Sequence, residues 1–291
     1  IDANQTRDLF IGQMGLQALD NSCLAPHQQL GAVRPSEQTI VHFVGNSHLL
    51  FSISSPLDST SPVADYLLLH PSGVKDVSFR VLDLDEIRRK VDQLQIKTLA
   101  VSSDLDELPW LRIQGWGAIE HTIIQAKSEA IDPDLFDRQE QIVGIDHIVL
   151  NVAAGELELA AIWYRDLFDF QLQQTFDIQT QKSGLASKAL VSSGGKIRFN
   201  INEPSSINSQ IQEFLNLNHG AGIQHIALQT NNIFETIDLM QQQELAFLPI
   251  PDVYYANLQH RASLEQNLLL NNDEWQQLER LQILMDWSKF T

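Results

Sequence analysis

Two histidines occupy equivalent positions in two copies of one short phrase, GIDHIVL at residues 144–150 and GIQHIAL at residues 222–228. Both copies are rich in β-branched and other apolar residues, which predicts a strand. A pseudo-twofold relation between the copies would bring the imidazoles of His147 and His225 together. Two neutral imidazoles suit a borderline divalent metal, and with one carboxylate they form the facial triad of non-haem Fe(II) oxygenases. The pattern therefore predicts a metal site with His147 and His225 as ligands.

A third copy of the phrase, GVKDVSF at residues 73–79, has Asp76 at the equivalent position. The strand-like run that would complete this site offers Thr122 rather than a second imidazole or carboxylate. We therefore predict that the first half of the chain is a degenerate, metal-free copy. His121 is one residue away from Thr122, and the two-residue period of a strand would direct it to the other face, so we expect a structural role for it.

The elements that must position these residues also repeat. Amphipathic helical segments, with apolar residues at i, i+3 and i+4 spacing, follow the phrases at residues 85–94, 158–168 and 233–243. Strand-like runs lie at residues 40–53, 118–125 and 189–201. The repeating unit is therefore predicted to be βαβββ, and residues 10–16 imply a fourth copy because their pattern matches that of residues 164–170. Four units paired two by two predict an α+β fold with two open-barrel domains.

The predicted domains meet at a charged stretch that contains proline. We place an N-terminal domain at residues 1–128, a linker at 129–141 and a C-terminal domain at 142–291. The first strand of the N-terminal domain is expected to precede Ile1. The unit that opens at Gly222 has a strand and a helix, then a long insertion at residues 249–279, and its last strands are expected beyond Thr291.

Composition narrows the classes of function. Of 291 residues, 43% are hydrophobic, which is enough for a core in each of two domains. The 19 basic and 37 acidic residues give a formal charge of -18 with no basic block, so we expect neither nucleic acid nor an anionic membrane as a partner. Cys23 is the single cysteine, and no apolar run approaches the roughly 18 residues that a membrane helix needs. These features predict a cytoplasmic protein.

Further phrases are spaced along the second half of the chain. They are SGLAS at residues 183–187, INEP at 201–204, SQIQ at 209–212 and PDVYY at 251–255. With the two histidine phrases, in this order and spacing, the chain resembles the 4-hydroxyphenylpyruvate dioxygenases of the vicinal oxygen chelate superfamily. The resemblance implies an Fe(II) cofactor, a keto acid substrate and O2. It also implies conversion of 4-hydroxyphenylpyruvate to homogentisate and CO2, in tyrosine catabolism or in the synthesis of quinone and tocopherol precursors.

The resemblance implies roles for individual residues. His147 and His225 match two of the three iron ligands, and no catalytic residue separate from the metal ligands is expected. Positions that line the substrate pocket are matched by Ser187, Asn202, Gln210 and Gln224. Structural roles stay open for these four. Asn202, for example, could cap the turn that follows it, and Gln224 would point away from His225 in a strictly alternating strand.

The end of the sequence departs from the family. The third ligand there is a Glu in the final strand, and a terminal helix then closes the pocket; neither has a counterpart in this sequence. We therefore expect either a longer parent chain or a chain that is not a competent dioxygenase as it stands. A hydroxymandelate synthase and a metal-free protein that binds small molecules on the same fold remain alternatives. Since the family commonly forms dimers or tetramers, a homo-oligomer is expected.

Overall fold

The computed structural model describes residues 2–20, 36–102, 108–125, 140–179, 184–264 and 270–286. The helices of this part are α1 (Ala3–Gly12), α2 (Pro62–Leu69), α3 (Leu84–Gln93), α4 (Leu157–Phe168), α5 (Gln210–Asn218), α6 (Ile233–Gln242), α7 (Asp252–Leu264) and α8 (Asn272–Arg280). The strands are β1 (Gln17–Leu19), β2 (Thr39–Gly45), β3 (Leu50–Pro56), β4 (Phe79–Val81), β5 (Thr98–Val101), β6 (Trp110–Gln114), β7 (Glu120–Gln125), β8 (Gly144–Asn151), β9 (Gln171–Gln179), β10 (Gly184–Val191), β11 (Arg198–Pro204) and β12 (Gly222–Gln229). The predicted α+β class is confirmed.

The sheet that carries both histidine phrases has five strands in the order β12-β8-β11-β10-β9. After β8 the chain passes through α4, forms the antiparallel meander β9-β10-β11, and β11 pairs parallel with β8. This topology is the predicted βαβββ unit. The first strand of the next unit, β12, pairs antiparallel with the other side of β8. The two histidine phrases are therefore neighbouring strands.

A four-stranded sheet, β4-β7-β6-β5, repeats this topology around α3. Its first strand is shorter than the phrase at residues 73–79 predicts, because before Phe79 there is only a single bridge, between Asp76 and Glu120. The hydroxyl of Ser78 donates a hydrogen bond to the carboxylate of Asp76. Such local side-chain bonds compete with the regular strand ladder.

The remaining sheet, β1-β2-β3, is an antiparallel meander that follows α1. The strand-like run predicted at residues 40–53 holds most of β2 and β3 and the turn between them. In this turn the side-chain oxygen of Asn46 accepts hydrogen bonds from the backbone N–H groups of His48 and Leu49, which reverses the chain. Within the described residues, none of the three sheets closes on itself.

Apolar side chains from both predicted domains pack into one core. Phe79 of the first half lies in the same buried cluster as Leu150 and Tyr164 of the second half. A second cluster joins α3 to α4. The predicted domain boundary stays a prediction, and residues 129–139 of the linker lie outside the described part of the chain.

The predicted insertion at residues 249–279 contains α7 and α8. The latter begins with a capping box, in which the side chains of Asn271 and Glu274 each accept a hydrogen bond from the other's backbone N–H. Buried Tyr255 and Leu278 pack the two helices together. Across the described residues, every helix is too short or too polar to span a lipid bilayer.

Candidate metal centre

Strands β8 and β12 place the two histidines side by side. The ring centroids of His147 and His225 are 5.5 Å apart, and the ring planes make an angle of 77°. His225 lies opposite Val149, two residues along β8 from His147, so both imidazoles project from the same face of the sheet. The other face packs against α4. The structure therefore brings the two imidazoles together, while their role as metal ligands stays a prediction.

Each of these histidines follows a residue that is unpaired in the sheet. Register shifts in the pairing of β8 with β12 leave Asp146 and Gln224 without cross-strand partners. Such bulges re-aim side chains and are over-represented next to active sites. The bulge interrupts the two-residue period between Gln224 and His225, so the condition of strict alternation is not met there, and the role of Gln224 stays a prediction.

The bulge in β8 brings a carboxylate against a candidate ligand. Nδ1 of His147 lies 2.7 Å from Oδ2 of Asp146, and Nη1 of Arg198 donates to Oδ1 of Asp146 over 2.6 Å. Adjacent side chains on a regular strand point to opposite faces, so the contact between Asp146 and His147 depends on the bulge. Nε2 of His147 is left as the ring nitrogen that is available to a metal. Neither Asp146 nor Arg198 was predicted from the sequence, although Asp146 stands directly before His147 in the repeated phrase.

The imidazoles of His147 and His225 are suited to occupy two coordination positions of a divalent metal. Removal of surrounding water and the proximity of His147 lower the pKa of His225 below its ordinary value of 6.5. A lowered pKa keeps the imidazole neutral, which is the form that binds a metal. In the part of the chain that the structure describes, no group of three His, Cys, Asp or Glu side chains is placed to hold a metal ion. The described residues thus offer two candidate nitrogen ligands and no third candidate placed with them.

Polar side chains cross the same sheet face on neighbouring strands. Ser187 on β10 lies opposite Asn202 on β11, and Asn202 lies opposite Asn151 on β8. Nδ2 of Asn202 donates to Oδ1 of Asn151 over 3.4 Å. Asn151 is four residues from His147, so this polar row lies about 13 Å along the strand from that histidine, on its face. Ser187 and Asn202 are therefore on the face that presents the imidazoles.

Of two other amide residues, Asn200 lies on this sheet face, and Gln210 lies outside the sheet, on α5. Asn200, which was not predicted, lies opposite Val149 and is therefore level with His225 on the other side of β8. The alternation of β11 could have identified it, since it is two residues before Asn202. Gln210 is the first residue of α5 and is exposed, and it makes no hydrogen bond to the other predicted site residues of the described chain.

The equivalent place in the first half is a cluster of hydrogen bonds around Asp76. Thr122 Oγ1 donates to Asp76 Oδ2 over 2.8 Å, and Ser78 Oγ donates to Oδ1 over 2.7 Å. Arg112 Nε donates in turn to Thr122 Oγ1 over 3.1 Å. Burial outweighs these donors and raises the pKa of Asp76 to about 6. Asp76 and Thr122 are therefore neighbours, as the repeat predicts, and the metal-free character of this half stays a prediction.

His121 lies inside the core that the two halves share. Its Nδ1 is 2.9 Å from the carbonyl oxygen of Val77, and its Nε2 is 3.0 Å from the hydroxyl of Tyr164 on α4. The side chain is fully buried, and burial lowers the pKa of the imidazole to about 4. These contacts on both ring nitrogens agree with a structural role.

Comparisons with known proteins agree with this architecture. The sequence model of the Glyoxalase/Bleomycin resistance protein/Dioxygenase superfamily matches residues 144–262. An uncharacterized protein of Synechocystis sp. is 36% identical over 86% of this chain and 73% of its own length. The 4-hydroxyphenylpyruvate dioxygenase of Dictyostelium discoideum is 28% identical over 98% of this chain and 82% of its own length, and that of Sus scrofa is 28% identical over 99% and 77%.

Among solved structures, a triple mutant of 4-hydroxymandelate synthase from Streptomyces coelicolor superposes with a TM-score of 0.81. The superposition covers 99% of this chain and 82% of that one. Because the two sequences are only 19% identical, this superposition shows a shared fold and nothing further. Residues 144–262 therefore form a domain of the Glyoxalase/Bleomycin resistance protein/Dioxygenase superfamily, and the chain is a relative of the 4-hydroxyphenylpyruvate dioxygenases.

Proposed function

We propose that the protein is an Fe(II)-dependent dioxygenase that converts 4-hydroxyphenylpyruvate and O2 to homogentisate and CO2. The observation that carries the proposal is the pair of imidazoles, 5.5 Å apart, on a sheet face that also presents the hydroxyl of Ser187 and the amide of Asn202. Relatives named 4-hydroxyphenylpyruvate dioxygenase that align with nearly the whole chain support the choice of substrate.

The residues of this face have separate roles in the proposal. His147 and His225 hold the metal, and Fe(II) bound there supplies the chemistry that activates O2. The keto acid end of the substrate binds beside the imidazoles, with the amide of Gln224 next to it. The phenol end reaches Ser187 and Asn202, which lie about 7 to 13 Å along the strands and can orient its hydroxyl.

Apolar side chains lie among the polar residues of this face. Val149 is buried and lies between His147 and Asn151 on β8. Phe176 on β9 lies opposite Ser187 and is partly exposed. These side chains are suited to the aromatic ring of the substrate and limit the access of water to it. Gln210, at the start of α5, is proposed to contact the substrate from outside the sheet.

The proposal extends to the setting of the enzyme. We place it in the cytoplasm, as a homo-oligomer of two-domain subunits, in tyrosine catabolism or in the synthesis of quinone and tocopherol precursors. Size-exclusion chromatography with light scattering measures the oligomeric state directly.

The test begins with anaerobic loading of the purified protein with Fe(II) and 4-hydroxyphenylpyruvate. Oxygen is then admitted, and the product is identified by chromatography against homogentisate and 4-hydroxymandelate. Homogentisate from the wild type, absent from His225→Ala and present with His48→Ala, is the expected result. His48 is a matched control because it is a histidine in the turn between β2 and β3, where it pairs with Glu140.

Each other outcome contradicts a named part of the proposal. Formation of 4-hydroxymandelate would show that the protein is a hydroxymandelate synthase instead. Unchanged substrate in the presence of stoichiometric bound iron would refute the proposed dioxygenase activity of this chain. Failure of the wild type to retain iron would refute the metal site and favour a protein that binds small molecules without a metal.

A further inference from the structure

We infer that Asp146 is a positioning residue for the metal site, because its carboxylate fixes the orientation and the tautomer of His147. The inference rests on the proposed function, in which His147 is a ligand. Asp146 itself makes no contact with the metal in this scheme. It acts through the imidazole beside it.

The contacts form a chain of three side chains. Arg198 on β11 donates to one carboxylate oxygen of Asp146, and the other oxygen lies 2.7 Å from Nδ1 of His147. A carboxylate can only accept hydrogen bonds, so Nδ1 carries the proton and donates it. The lone pair of the neutral ring is then on Nε2, which is the nitrogen left open. Carboxylates in this position hold metal-binding histidines in many proteins and raise the basicity of the ligand.

The bulge in β8 is what makes this chain of contacts possible. In a regular strand Asp146 would project from the face opposite His147, toward the side of the sheet that packs on α4. The extra residue in β8 instead allows the carboxylate to reach both His147 and Arg198. Arg198, at the start of β11, is less than half exposed, and it fixes the far side of the carboxylate.

The two candidate ligands differ in this respect. In the repeated phrase, the bulge residue before His225 is Gln224 instead of an acid. Among the described residues, no hydrogen bond is made to the ring of His225, whose close contact is with the ring of His147. In the absence of metal, the imidazole of His147 is therefore held by a hydrogen bond to Asp146, and the imidazole of His225 has no such hydrogen bond among the described residues.

The first test reads the tautomer in the metal-free protein. Long-range 1H–15N correlation spectra of protein labelled with 15N-histidine report which ring nitrogen carries the proton, and His147→Ala assigns the signal. The expected result is an Nδ1–H tautomer for His147 in the wild type and an Nε2–H tautomer in Asp146→Ala. An Nε2–H tautomer of His147 in the wild type would overturn the inference, whatever the variants do.

The second test measures the affinity for Co(II) alone, by titration of the metal-free protein. Asp146→Ala is expected to weaken binding by about 10- to 100-fold. Asp146→Asn should lose less, because its amide oxygen can still accept from Nδ1. The matched control is Glu158→Gln, which removes a carboxylate that pairs with Lys188 on the α4 side of the same sheet. It should change the affinity by no more than about twofold, because this ion pair lies on the opposite face of the sheet from the imidazoles.

The outcomes separate this inference from the proposed function. If the wild type binds Co(II), His147→Ala abolishes binding and both Asp146 variants bind as tightly as the wild type, only the role of Asp146 is refuted. If His147→Ala binds Co(II) normally, the metal site itself is refuted. The tautomer of His147 decides the hydrogen bond in either case, and urea unfolding of each variant excludes a general loss of structure.

Discussion

His121 gives the sharpest prediction for stability, because it is a fully buried imidazole with a hydrogen-bond partner in each half of the chain. The perturbation is His121→Gln, which keeps a polar side chain but cannot titrate. Near neutral pH this substitution should destabilise the protein by about 1–3 kcal/mol, because it leaves the hydroxyl of Tyr164 or the carbonyl of Val77 without its partner.

The effect of the substitution should depend on pH. Burial lowers the pKa of His121 from 6.5 to about 4 in the folded protein. Below pH 6.5 the unfolded chain binds a proton that the folded chain does not bind, so wild-type stability falls as the pH drops toward 4. The gap is about 2.5 pH units, and at about 1.4 kcal/mol per unit it corresponds to about 3 kcal/mol. The free energy of unfolding of His121→Gln lacks this dependence.

Urea unfolding of both proteins at a series of pH values between about 7 and 4 measures this difference. The deficit of His121→Gln at neutral pH should shrink by about 3 kcal/mol at the acid end, and the variant becomes as stable as the wild type or more stable. Tyr164→Phe is the matched control, since it removes the same hydrogen bond but retains the imidazole and therefore its acid sensitivity. A deficit of His121→Gln that stays constant over the series would refute the burial of a neutral imidazole at this position.

Three further predictions concern other sites. Burial raises the pKa of Asp76 from 3.8 to about 6, so the unfolded chain releases this proton at a lower pH than the folded chain, and wild-type stability falls as the pH rises between these two values. Asp76→Asn should therefore gain stability relative to the wild type over about pH 4 to 6, and a pH-independent difference in urea unfolding would contradict this. Asn46→Ala should lose about 1–3 kcal/mol in the same assay, because the buried amide donates to the carbonyl of Ile142 over 2.6 Å; a loss too small to measure would be inconsistent with that contact. His225→Ala should lose stoichiometric iron by metal analysis with an unchanged circular dichroism spectrum, and retention of iron would exclude the pair as the site.

The helices and the order of the strands could be predicted because their patterns lie in neighbouring residues. The helix predicted at residues 158–168 is observed at Leu157–Phe168, and the one predicted at 233–243 is observed at Ile233–Gln242. The spacing of apolar residues in a helix is set by the helix itself, so it can be recognised in a single sequence. Repetition of the histidine phrase likewise indicated that β8 and β12 are equivalent, which is why their proximity could be anticipated.

Other features depend on contacts between distant segments and left no local signal. The bulges at Asp146 and Gln224 arise from the register of β8 against β12, and the residue types at these positions do not predict them. The hydrogen bond between Tyr164 and His121 spans the two halves of the chain, so a pattern within either half could not reveal it. The late start of β4, at the last residue of the first repeat phrase, follows from the side-chain bonds of Asp76 with Ser78 and Thr122.

Three copies of one phrase thus produce three environments on similar backbones. In the first copy, the oxygens of Asp76 are engaged by hydroxyl donors, and the residue before it, Lys75, pairs with Glu120 over 2.9 Å. A carboxylate whose oxygens are engaged in this way, and whose pKa is raised by burial, is a weaker metal ligand than a free one. In the other two copies, imidazoles replace the acid, and the residue before each is a carboxylate or an amide. The location of the proposed metal site in the second half is therefore determined by a few side chains, and the fold that both halves share supplies only their positions.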